Sequence, residues 1–99
     1  MPDFKNPFEG LSDPSKLEGD DLIFAIRIMI AREYESIQHF MQFSKAADHK
    51  LVKQVAKELA DEKRVHAGQL LRLLMELAPE EETLYTEGSE EVDEIRKGR

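Results

Sequence analysis

Two residues capable of binding a metal or moving a proton sit where apolar side chains are expected, and a third lies close beside one of them. Glu33 lies seven residues after Ile26, four before Ile37 and seven before Phe40. Those steps are close to whole turns of an α-helix, which places its carboxylate near the centre of an apolar stripe. His66 lies on a second stripe, between Leu59 and Leu70 or Leu73. Glu62, four residues before it, falls about 40° from His66 around a helix. Lys63 falls about 60° to the other side at the same 100° per residue. A buried carboxylate alone is costly, and such groups are paired or bound to a metal. Carboxylates with a neutral imidazole suit iron or manganese.

Those residues need long helices to carry them. Leu22, Ile26, Met29, Ile30, Ile37, Phe40, Met41 and Ser44 recur at three- and four-residue steps, which predicts a helix over 21–46 with Asp20 or Asp21 as N-cap. AADHK (46–50) reads as a tight turn. Val52, Val55, Leu59, Leu70, Leu73 and Leu77 then mark a second helix ending near Ala78, where Pro79 stops or restarts the chain. So short a connection predicts an antiparallel hairpin. After Pro79 one further turn is expected, followed by a short helix capped by Ser89, with acids in its first turn and Arg96 and Lys97 in its last. Residues 1–20 hold Pro2, Pro7, Pro14, Gly10 and Gly19 and read as an irregular arm, leaving 21–99 as the helical domain.

The predicted class is therefore all-α: a two-helix hairpin plus a short C-terminal helix. Two long helices cover each other's stripes only in part, so a second copy is expected to complete a four-helix bundle. Two-fold pairing would collect two copies each of Glu33, Glu62 and His66 at one level, the ligand inventory of carboxylate-bridged di-iron bundles. Plainer readings stay open at this point: a hydrogen-bonded core histidine, and a glutamate paired with a lysine. His39, His49 and Glu35 are expected on solvated faces.

Composition narrows the classes. The formal net charge is −7, which argues against nucleic acid as a partner, since phosphate binding calls for a basic surface. No apolar run approaches the roughly 20 residues of a membrane span, and the N-terminus lacks the basic start and apolar centre of a signal peptide. The absence of cysteine excludes disulfides, thiolate metal sites and cysteine nucleophiles, and fits a cytoplasmic setting.

EYESIQHF (33–40), ADEKRVHAGQLLRLL (60–74) and PEEETLYTEGSEEVDEIRKG (79–98) together resemble the encapsulated ferritin-like proteins, over about residues 22–98. The resemblance implies a hairpin subunit that pairs into a ferritin-like bundle with a di-iron ferroxidase centre on the two-fold interface. It implies dimers joined in a ring-shaped decamer, carried as cargo inside an encapsulin nanocompartment whose shell stores the oxidised iron. Carried over by position, the ligands fall on Glu33 and His66. The family's second glutamate, three residues before the histidine, falls on Lys63. Phe40 stands where members usually have a tyrosine, and Arg32 where an acid is common. Two alternatives follow. In one, Glu62 replaces the missing ligand, helix 2 turns Lys63 outward, and Glu33, Glu62 and His66 oxidise Fe(II). In the other, the Lys63 ammonium takes the metal's place and the chain is a non-catalytic assembly partner. A peroxide-scavenging role like that of the rubrerythrins is weaker, because no rubredoxin-type cysteines are available to deliver electrons.

Overall fold

The structure is a computed structural model that describes residues 16–98; most of the arm expected at 1–20 lies outside them. Helix α1 spans Gly19–Ala46, α2 spans Lys50–Leu77 and α3 spans Pro79–Arg96. Among the described residues there is no strand. The chain enters α1 through Gly19 at φ 57°, a left-handed conformation that glycine adopts at no steric cost. Helix α1 thus begins two residues before the predicted start. Neither Asp20 nor Asp21 caps it: Glu18 holds the N-cap position without a side-chain bond, and the two aspartates lie in the first turn. There they stabilise the positive end of the helix dipole instead.

The hairpin turn is tied by a lysine. Lys53 Nζ donates to the carbonyls of Ser44, Lys45 and Ala47 at 2.9, 3.1 and 2.7 Å. Ser44 Oγ donates back to the Lys53 carbonyl at 2.8 Å. The last carbonyls of a helix have no intrahelical donor, and a cation at that end also suits the dipole. One side chain from α2 therefore closes α1 and sets the register of the hairpin.

Helix α2 faces α1 with small residues. Its buried positions are Ala56, Ala60, Ala67 and Leu74. Of the stripe expected from the sequence, Val55, Leu73 and Leu77 are exposed, and Val52, Leu59 and Leu70 are half-buried. The face of closest approach is rotated toward the alanines because residues without bulk let two backbones come together, while longer aliphatics fit along the flanks. At one end Ile26, Ile30, Leu74 and Ala78 form the core cluster, with Leu22, Ile23, Leu70 and Leu71 packed against it.

Helix α3 is longer than predicted. It runs unbroken through Gly88 and Ser89, so Ser89 is a mid-helix residue and not a cap. A lone glycine costs a helix interior about 1 kcal/mol, which flanking helix formers tolerate. Pro79 occupies the first position of α3, where its missing N–H is no loss. It also forces Ala78 out of the helical region, to φ −135° and ψ 72°. That single residue turns the chain away from the hairpin. The Cα radius of gyration is 17.3 Å, against roughly 13 Å for a compact chain of this size. Helix α3 meets the hairpin near its own start and projects from it. Leu84, Val92 and Ile95 along α3 are exposed, as are Met41 and Phe43 on α1 and Leu51 and Val55 on α2.

The corner is held by a polar cluster. Glu81, buried in the first turn of α3, pairs with Arg27 of α1 and accepts a hydrogen bond from the Tyr85 hydroxyl.

Two substitutions test this packing by urea unfolding. Ala60, with no accessible surface, becomes a wedge as Ala60→Leu, and stability is expected to fall by about 1–3 kcal/mol. Glu81→Ala removes the acceptor at the corner and is expected to cost about 1–2 kcal/mol, since half-exposed Arg27 can return to water. A neutral outcome for either would contradict the seam or the corner as described.

Candidate functional site

The rotation of α2 decides which side chains meet Glu33. At 100° per residue, Lys63 points about 35° from the mean direction of buried Ala56, Ala60, Ala67 and Leu74, His66 about 95° and Glu62 about 135°. Lys63 therefore belongs to the row that faces α1, lying between Ala60 and Ala67. Glu62 is exposed. This is the opposite of the turn that would carry Lys63 outward and Glu62 inward.

Around Glu33 the geometry is specific. Its side chain is 15% accessible, and Oε2 is buried with no hydrogen-bond partner. Lys63 Nζ lies 3.7 Å from that oxygen and His66 Nδ1 lies 3.5 Å from it. Both distances exceed the usual 2.7–3.2 Å of a hydrogen bond, so Lys63 meets Glu33 through its charge rather than through a directed bond. Lys63 and His66 are 30% and 48% accessible. The carboxylate is the buried member, with Lys63 reaching it from the α1-facing row of α2 and His66 from the more open flank.

The acid next to Glu62 is engaged elsewhere. Asp61 accepts from Lys57 Nζ at 2.8 and 3.0 Å and from Arg64 at 2.8 Å. The hydrogen bond from Lys57, more than the charge of either base, holds the Asp61 carboxyl below the usual carboxylate range. Arg64 also reaches the Met41 sulfur on α1. In the run 61–64, then, Asp61 and Arg64 form an outer ion pair, Glu62 faces solvent and Lys63 faces the seam.

The structure brings Glu33 and His66 together and leaves Glu62 apart from them. Among the described residues, no three or more His, Asp or Glu side chains gather where they could hold a metal ion. Glu33, Glu62 and His66 of a single chain do not form a shared ligand set. Glu33 and His66 offer the right donor types, and the unpartnered Oε2 is the kind of atom a cation would satisfy. The ammonium 3.7 Å from that same oxygen is a competitor of the same charge, so within a single chain the set does not fit a di-iron centre. His39, His49 and Glu35 are exposed, as expected. Sequence reasoning missed the cluster of Arg27, Glu81 and Tyr85. The four-residue step from Glu81 to Tyr85 was visible; the approach of Arg27 follows only from the turn at Ala78.

No protein-family model matches the chain, and no solved structure does. Two curated proteins are similar. A ferritin-like–encapsulin shell fusion protein of Pyrococcus furiosus is 29% identical over 76 residues, which are 77% of this chain and 22% of that protein. The encapsulin nanocompartment cargo protein EncC of Myxococcus xanthus is 30% identical over 93 residues, 94% of this chain and 71% of EncC. The chain thus spans about a fifth of the fusion protein and most of the cargo protein. The match to EncC runs through both hairpin helices and α3, and the chain belongs to the family of encapsulin nanocompartment cargo proteins.

Proposed function

We propose that this chain is a ferritin-like subunit carried inside an encapsulin nanocompartment, where it acts as a structural partner in the cargo assembly and does not itself oxidise iron. The observation that carries the second half is the placement of Lys63 against the buried Glu33 carboxylate, with Glu62 turned to solvent. The relatives support the first half.

Pairing two copies across the open faces of α1 and α2 would complete a four-helix bundle and bury the exposed apolar side chains along them. It would bring two Glu33 carboxylates and two His66 rings to one level. In a catalytic centre that level would be neutralised by metal. Here two Lys63 ammoniums match two Glu33 carboxylates, and the seam reaches electrical balance from the chain's own residues. A ring of such dimers, as the resemblance implies, is an assembly that this balance permits without iron.

The ferroxidase reading stands second. It assigns Glu33, Glu62 and His66 as ligands and Fe(II) as substrate, and it is favoured by the buried, unpartnered Oε2 of Glu33 beside an imidazole. It also requires α2 to turn on assembly so that Glu62 replaces Lys63 in the seam.

One measurement tests the cargo role and a second separates the two readings. Co-expression with an encapsulin shell protein should yield shells that retain the chain through purification; empty shells would remove the cargo role. Aerobic Fe(II) addition to the purified chain, followed in the near ultraviolet, is expected to proceed at the background rate, and Lys63→Glu is expected to raise it at least about tenfold, the low end of what even a group hydrogen-bonded to a metal ligand contributes. Rapid, saturable oxidation by the native chain that Glu62→Ala abolishes would establish the ferroxidase reading instead.

A further inference from the structure

A carboxylate on an apolar stripe needs a compensating cation, and the seam is built to hold one that is covalently attached. Lys63 lies on the α1-facing row of α2, with Ala60 one turn before it and Ala67 one turn after. Ala60 and Ala67 are 0% and 4% accessible and present only a methyl group each. Between them the lysine's aliphatic stem can lie along the helix contact while its head reaches Glu33, the usual way a long cationic side chain is accommodated. The head arrives 3.7 Å from the buried Glu33 oxygen, which no hydrogen bond satisfies. His66 approaches the same oxygen from the more open side. Without the ammonium, that oxygen and Nδ1 would present one carboxylate and one imidazole to a shared point, a donor pair suited to a divalent first-row metal.

We propose that the Lys63 ammonium is the resident cation of the Glu33 site, that it makes the fold independent of divalent metal, and that removing it converts the chain into one stabilised by a divalent cation held on Glu33 and His66. The proposal rests on the reading that the centre works without iron. It extends that reading from charge balance in the assembly to what the fold of the chain depends on. The logic is that of a buried ion pair: deleting one partner leaves the other uncompensated, whereas deleting both is nearly neutral.

The test compares thermal unfolding of the full chain, Lys63→Gln, Glu33→Gln and the double variant Glu33→Gln/Lys63→Gln, each in EDTA and in excess Mn(II). The native chain should unfold at the same temperature in both solutions. In EDTA, Lys63→Gln should unfold roughly 5 °C lower, and Mn(II) should restore most of that difference. The double variant should match Glu33→Gln and ignore Mn(II). If Lys63→Gln does not fold in EDTA, its folding on addition of Mn(II) supports the proposal; failure in both solutions overturns it. A native chain that Mn(II) stabilises as much as the variant, or a Lys63→Gln that unfolds in EDTA at the native temperature, would also overturn it. Shell retention is a separate readout. Empty shells would remove the cargo role and leave this proposal standing, while Mn(II) dependence of the native chain would do the reverse.

Discussion

A carboxylate set into the apolar face of a helix cannot stand alone, and the arrangement of this molecule around Glu33 follows from that constraint. Moving an ionised carboxylate out of water costs several kcal/mol unless charge and hydrogen bonds are returned to it. Glu33 lies in line with the buried Ile26 and Ile30 on α1, and its Oε2 receives no hydrogen bond. What it does receive is positive charge from across the seam. The alanine face of α2, the position of Lys63 within it and the outward turn of Glu62 are together the means by which that charge arrives.

The same seam limits what one chain can be. Two helices and a projecting third leave apolar side chains open along all three, and the radius of gyration exceeds that of a compact domain of this length. Small single-chain domains are marginal even when compact. A second copy laid across α1 and α2 would cover those faces and repeat the Glu33 cluster across a two-fold axis. The corner at Ala78, fixed by Arg27, Glu81 and Tyr85, sets the direction in which α3 leaves, and so where its exposed Leu84, Val92 and Ile95 can meet another chain.

Much of this was legible because it is local. Periodic apolar residues, the short turn and Pro79 mark α1 and α2 and their boundaries to within two residues. Glu33 and His66 stood out as polar residues on apolar stripes, and the structure brings them within 3.5 Å. The rotation of α2 was hidden for a physical reason: pattern reading follows bulky aliphatics, while the closest contact is made by alanines, which carry little hydrophobic weight. That difference moved Lys63 from the flank into the seam and Glu62 away from it. The unbroken α3 was masked by Gly88 and Ser89, which together mimic a helix stop and a new cap. The charge pair at the corner depends on a tertiary angle no spacing encodes.

Charge balance from within the chain is the central claim, and metal analysis of the assembled protein tests it most directly. Oligomer purified from iron-replete cells without chelator, and analysed by inductively coupled plasma mass spectrometry, should carry no stoichiometric iron or manganese. One metal ion per chain, or one per pair of chains, would contradict the account, because the place beside Glu33 would then be the metal's and not the lysine's.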